Sequence, residues 1–354
     1  VPLLEEAGVE LVAQSDAYLV TDAAGRRVPD ADLVAADREA ARRLRAAAAL
    51  AEQRSSDTDL ARMLAPSGRP DPLVALALRS GLQNEYAADP SALSAWYYDE
   101  GGTYDGEEPL VAGGFQRLAD LLARDVDVRL GRRVRRIALE SRGVRVHATG
   151  GARTTADAVV LAVPAALLAD GAIDLEPPLP ERVRESLDRI GTGSLEKVIL
   201  RFEPGSWLPP AGTLASADPR HVERGVAEFA VLPDHRGAVT VIGLVGGAAG
   251  VELARRGERA MVEAALDALR SVIGSALPEP IATTASAWSA DPLARGSYTF
   301  LRPGGTPDDR VSLTQVIDDR LVLAGEATDP EEPATVTGAL RSGRRAARQV
   351  LGLR

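Results

Sequence analysis

The sequence predicts a mixed α/β chain: a mostly helical first hundred residues, then sheet-bearing regions, closed by a strand, a loop and a helix. Three observations carry that expectation. At 354 residues the chain is too long for one small core, so two domains or one large composite are expected. The first hundred residues are rich in Ala and Arg with helical patterning, whereas the chain beyond about residue 114 is rich in Val and Ile at strand spacing. The last thirty or so residues read as a buried strand, a Pro-punctuated loop and a final helix.

Taken in order, residues 33–64 hold neither Gly nor Pro and read as one or two helices. "DPLVALALRSGL" follows as another helix, opened by Asp-Pro. The acidic, Gly-rich "DEGGTYDGEEPLVAGG", residues 99–114, marks a boundary. After it, "FQRLADLLARD" reads as a short helix, and "VDVRL", "RRVRRIAL", "GVRVHAT" and "AVVLAVP" read as strands. The continuous apolar run of the last is expected of a strand buried on both faces. "ERVRESLDRI" places Val183, Leu187 and Ile190 along one helical face. "EKVILRF", "VAEFAVL", "AVTVIGLV" and "TTASAW" are further strands, with a helix near 258–273 between the last two. The resulting segments are 1–109 (helical), 110–175, 176–303 (sheet-bearing) and 304–354.

Composition excludes several chemistries. There is no Cys, hence no disulfide, thiolate nucleophile or Cys-ligated cluster, and three His make a multi-histidine metal site improbable. A net charge of −10 argues against nucleic acid and anionic membrane and favours cationic partners such as amines. No apolar run approaches the roughly 20 residues of a membrane span, and the start lacks the features of a signal peptide. The chain therefore reads as cytoplasmic, and its lack of an initial Met suggests a processed, trimmed or partial polypeptide.

Basic residues are distributed unusually. Lys and Arg together number 41, yet Lys197 is the single lysine. Arg is a permanently charged planar fork, and Lys a compact amine that can lose its proton, so a lone Lys marks a place where Arg does not serve. In "GTGSLEKVILRF", Lys197, Ile199 and Arg201 share one strand face and Val198, Leu200 and Phe202 the other. Taken alone, that pattern describes a solvent-facing lysine.

The ending, "LVLAGEATDPEEPATVTGALRSGRRAARQVLG", brings a strand into Gly325 and Glu326 and starts a helix at about Val336, with Gly338, Ala339 and Gly343 on its inner side. Small residues permit close approach to a ligand, and helix N-termini offer free N–H groups. This stretch closely resembles the C-terminal FAD signature of the flavin-containing amine oxidases, the family of monoamine oxidases, polyamine oxidases and flavin-dependent histone demethylases. "GGFQRLADLLA", "VRLGRRVRRIALESRGVRV" and "DAVVLAVP" resemble its middle FAD-domain segment, "GTGSLEKVILRFEPGSW" its lysine strand, and "WSADPLARGSYTFLRPGG" and "SALSAWYYDEGG" segments lining its substrate cavity.

The resemblance implies a composite, Rossmann-like FAD-binding domain with an interleaved substrate domain. It places Lys197 beside flavin N5 through a water, Glu326 on the ribityl or pyrophosphate part of FAD, Thr335 and Val336 at the flavin pyrimidine edge, and Val134 where backbone groups hold the adenine. Tyr298 becomes an aromatic wall before the flavin, with Trp288 in support, and Trp96, Tyr97, Tyr98 and Asp99 weaker candidates for substrate contact. An acidic cluster of Glu100, Asp105, Glu107 and Glu108 would attract a polyamine, or would be a solvated loop. Thr335 stands where monoamine oxidases carry a second tyrosine, which points to the polyamine-oxidase type.

The implied chemistry is oxidation of an amine to an imine, hydrolysed to a carbonyl, with oxygen reduced to hydrogen peroxide. With no Cys, FAD is expected to be non-covalent. The family's G-x-G-x-x-G, which holds the pyrophosphate, has no counterpart: the only G-x-G triplet is Gly191 to Gly193, with Glu196 where a third Gly is required. The expectation is therefore a chain without its N-terminal βαβ unit, completed by a separate or unrecorded polypeptide. An amino-acid oxidase or desaturase on the same fold, or a non-catalytic binding module, stand as alternatives.

Overall fold

The computed structural model describes residues 2–6, 8–13, 15–101, 110–232 and 237–352. Its largest element is a six-stranded sheet ordered Ala282–Ala285, Leu195–Phe202, Val239–Gly246, Glu228–Leu232, Thr213–Ser216 and Tyr18–Thr21, with only the last pair parallel. One face carries Val198, Leu200, Phe202, Phe229 and Val241 against helices Gly247–Arg255 and Glu258–Ile273, which contribute Leu253, Met261 and Leu269. Each such side chain, fully buried, contributes about 1.5–3 kcal/mol, so this face holds the sheet's register. The opposite face is covered at its far edge, where Val20 and Ala215 meet Leu76 of helix Pro72–Leu78. Asp71 caps that helix, accepting from the amides of Leu73 and Val74.

A second core joins two smaller sheets. Val159–Leu161 runs parallel to Leu321–Leu323, which pairs with Val316–Ile317. The other sheet is ordered Arg153–Ala156, Gly143–Ala148, Val134–Glu140 and Asp174–Glu176. Ile137, Val144, Leu161 and Leu323 meet Val183 and Leu187 of helix Glu181–Arg189 between them. The six-stranded sheet thus draws on 1–109 and 176–303, and the Val159–Leu161 sheet on 110–175 and 304–354. A two-stranded ribbon, Ile190–Thr192 with Thr299–Leu301, lies next in sequence to the lysine strand.

The fold departs from expectation in three places. Tyr18–Thr21, within the stretch expected to be helical, supplies an edge strand, because its β-branched Val20 and Thr21 are buried against neighbouring strands. "VDVRL" is a loop despite its alternation: no described strand offers it a partner, and Val126, Val128 and Leu130 are exposed. Val159–Leu161 lies at the end of its sheet, and Val160, expected buried, is 41% exposed.

Candidate active site

On the lysine strand, Leu195–Phe202, alternate residues divide as the pleat requires: Val198, Leu200 and Phe202 face the core, while Lys197 and Arg201 are exposed on the other side. Register carries that face across the sheet. Lys197 pairs with Leu244, and Leu244 with Glu228, so Lys197 and Glu228 flank Leu244 two strand spacings apart, roughly 10 Å between backbones. The Glu228 carboxylate accepts from Ser80 Oγ and from Asn84 Nδ2. The Asn84 carbonyl in turn accepts from the Tyr298 hydroxyl at 2.8 Å. Tyr298 is half-buried, and burial, then the nearby Glu85 charge, push its phenol well above the ordinary range.

A carboxylate of opposite parity fixes the start of this strand. Glu196 has 0% exposure, and its two oxygens accept five hydrogen bonds of 2.6–3.0 Å from Ser194 Oγ, Ser286 Oγ, Trp288 N, Ser289 N and Ser289 Oγ. Burial pushes its carboxyl up, but these bonds outweigh that and hold it below the usual carboxylate range. Ser286 also clamps the Lys197 backbone, its hydroxyl accepting from Lys197 N and its amide donating to Lys197 O. Gly193 donates to the Tyr298 carbonyl, and Ser297 bonds Leu195. Lys197, Tyr298 and the half-exposed Trp288 are thereby anchored to one knot of backbone.

The C-terminal segment meets this knot through Thr299. At the end of the buried strand Leu321–Leu323, Gly325 has φ +121° and open space where a Cβ would stand. Glu326 follows. Its Oε2 accepts from Thr299 Oγ1 at 2.7 Å and from Ala334 N at 2.8 Å, and no hydrogen bond reaches its Oε1 among the described residues. Thr335 caps the final helix, Val336–Gly352, accepting from Gly338 N while donating to Glu332 O. Both Thr335 and Val336 are exposed at the helix start. Of the three small residues expected inward, only Gly338 is buried, its backbone packed on the Glu332 carbonyl; Ala339 and Gly343 face outward.

Val134, half-buried, opens its strand at a cleft of about 490 Å³ that is also lined by Arg133, Ala162, Val163, Pro164 and Leu293. The cleft adjoins the carboxyl end of Val159–Leu161, and the neighbouring parallel strand Leu321–Leu323 leads into Glu326. Parallel sheets bind ligands outside such ends.

One expectation about the acidic segment changes. Glu100 is neither solvated nor available to a polyamine: its carboxylate is 7% exposed and forms a bidentate ion pair with the fully buried Arg310. Asp105, Glu107 and Glu108 lie outside the described residues. Tyr98 stacks edge-on against Tyr86, with ring centroids 5.9 Å apart, and Trp96 donates to the Ala51 carbonyl. The Trp96 bond ties its ring to the helical part, whereas Tyr98 packs on a cluster that also holds Phe300, two residues beyond Tyr298. Glu196, Glu228, Asn84, Thr299 and Arg310 escaped the sequence reading. Their partners lie far along the chain, and among 40 arginines none is marked out by sequence.

A family model for flavin containing amine oxidoreductase matches residues 12–351. Lysine-specific histone demethylase 1 homolog 2 of Oryza sativa subsp. japonica is 33% identical over 269 residues, covering 74% of this chain and 35% of that protein. Polyamine oxidase 2 of Arabidopsis thaliana is 31% identical over 268 residues, covering 75% of this chain and 53% of that protein. The chain thus spans between about a third and about half the length of these relatives. Wild-type putrescine oxidase bound to putrescine shares the fold with a TM-score of 0.80 at 19% identity, over 99% of this chain and 85% of that one. Cyclohexylamine oxidase from Brevibacterium oxydans IH-35A does so at 0.77 and 22%, over 99% and 84%. With a match running through nearly every element described above, the chain belongs to the flavin-containing amine oxidoreductase family.

Proposed function

We propose that this chain forms the larger part of an FAD-dependent oxidase of small amines of the polyamine type. What supports this reading is the anchoring of three elements to one another: a single hydrogen-bonded knot fixes the backbones of Lys197 and Tyr298, and Thr299, next to Tyr298, bonds Glu326. The donor set suits FAD, because Glu326 keeps one free carboxylate oxygen for a sugar-like hydroxyl and the capped helix start presents exposed amides to electron-rich oxygens. Held there non-covalently, FAD would supply a two-electron hydride acceptor for the amine-bearing carbon, with oxygen as the terminal acceptor, reduced to hydrogen peroxide.

The chain's own residues do the rest. The Tyr298 ring, with its hydroxyl tied back to Asn84, presents an apolar wall that strips water from the substrate amine. Lys197 projects from the open sheet face, where its amine can hold a water or a proton. Glu228 lies on the same face and suits a second ammonium of a diamine or polyamine. The imine product hydrolyses in water to a carbonyl and an amine. A further polypeptide segment, carrying the G-x-G-x-x-G, completes the site by holding the pyrophosphate.

Stopped-flow measurement of the Lys197→Met variant tests this. Flavin reduction by substrate or flavin reoxidation by oxygen should slow about tenfold or more, in line with loss of a positioned proton-handling group. Unchanged rates for both would remove Lys197 from the mechanism. A folded protein that takes up no FAD in the presence of the completing segment would remove the oxidase reading itself.

A further inference from the structure

The buried ion pair behind Glu326 is not explained by the reaction. Arg310 has 0% side-chain exposure and Glu100 7%. Arg310 donates from Nε and Nη2 to the two Glu100 oxygens at 2.9 and 2.6 Å, a fork-to-fork pairing that fixes the guanidinium plane. Its Nη1 then donates to the Ala327 carbonyl at 3.2 Å and to Thr299 Oγ1 at 2.8 Å. A buried pair of this kind gains little stability over apolar side chains of similar size. What it gains here is direction.

A hydroxyl has one hydrogen to give, and guanidinium has no lone pair to accept it. With Nη1 occupying one Thr299 lone pair, the Thr299 hydrogen goes to its remaining near neighbour, Glu326 Oε2, at 2.7 Å. Thr299 is 4% exposed, so no bulk water competes. The Ala334 amide takes the same carboxylate oxygen. Both interior donors are thus spent on Oε2, and Oε1 is left to whatever lies outside.

We propose that Thr299, oriented by the Arg310–Glu100 pair, is a positioning residue that holds Glu326 with Oε1 turned toward FAD. This rests on the reading of Glu326 as an FAD contact. Neither Thr299 nor Arg310 touches the cofactor in this account; they set the carboxylate's rotation before FAD arrives.

The test is FAD affinity in the native flavoprotein, stripped and titrated with FAD by flavin fluorescence, with melting of each flavin-free variant as the control for folding. Thr299→Val should weaken FAD binding about tenfold, the scale of one lost hydrogen bond to a charged group. Thr299→Ser, which keeps the hydroxyl, should stay within about twofold of wild type. Glu326→Ala should weaken binding, and adding Thr299→Val to it should cost nothing more, because the residue it positions has gone. Arg310→Met with Glu100→Leu removes both buried charges together and should reproduce the Thr299→Val loss. If Glu326→Ala leaves FAD affinity unchanged, the reading of Glu326 fails. If Glu326→Ala weakens binding while Thr299→Val does not, or Thr299→Ser weakens it equally, or the two losses add, the positioning role fails and the reading of Glu326 stands.

Discussion

Glu196 is where a single side chain does most to shape the site. Five donors converge on its two oxygens from residues as far away in sequence as Ser289, and the neutral side chain cannot satisfy them all. Glu196→Gln should lower stability by about 1–3 kcal/mol, since an amide offers one acceptor oxygen where the carboxylate offered two and turns an NH₂ toward groups that donate. The pH dependence follows from the direction of its shift. A carboxyl held below its ordinary range binds its proton less readily folded than unfolded, so its contribution is complete above the unfolded value of about 4.3 and is lost as pH falls through the folded one. Melting temperatures of wild type and Glu196→Gln should therefore lie apart at neutral pH and draw together as acid protonates the folded carboxyl; a gap of the same size at every pH down to acid unfolding would show that charge is not what the donors require. Lys197 stands out in the sequence because composition isolates it. Glu196, its neighbour, does not, because most of its partners are brought to it only by folding.

At the scale of elements, the final helix carries a sharp contrast between two glycines. A Cβ on Gly338 would stand 1.9 Å from the Glu332 carbonyl oxygen, whereas one on Gly343 would meet nothing within 4 Å. Gly343→Ala should stabilise the protein by about 0.5–1 kcal/mol through helix propensity alone. Gly338→Ala must push the helix start off the loop that contains Glu326 and Ala334, and should destabilise by about 1–3 kcal/mol and weaken flavin retention. Thermal melts of the pair check this: equal shifts in the same direction would mean that the helix start is not seated as described. Helices such as Glu258–Ile273 and strands such as Leu195–Phe202 were legible because their apolar period is sustained over several turns or pleats. "VDVRL" misled because a period of two states which face is apolar, and Val159–Leu161 because a continuous apolar run states that both are; neither says whether a neighbour exists to cover it.

At the scale of the molecule, the uncovered surfaces have a common location. Val159–Leu161 ends its sheet with one row of backbone donors and acceptors unpaired among the described strands, and Val160 is 41% exposed. Its carboxyl end opens on the cleft formed with Gly131 to Val134, and the residues leading into that cleft include Val126 at 62%, Val128 at 57% and Leu130 at 88% exposure. Helix Gln116–Leu122 adds Leu122, half exposed, just before them. An open strand edge beside apolar side chains is an aggregation hazard unless something covers it. The proposed completing segment, a strand, a Gly-rich turn and a helix, has the form to do so: its strand would extend the parallel sheet and its turn would face the cleft. The 354-residue chain alone should therefore self-associate in light scattering, and Leu130→Lys with Val126→Lys should reduce that association without changing the melting of the six-stranded sheet. Co-expression with the segment should yield a stoichiometric complex in which amide exchange at Val159–Leu161 slows and FAD is retained. A chain that stays monomeric alone, holds FAD without help and shows those amides already protected would overturn the complementation reading, because the edge would then be satisfied from within.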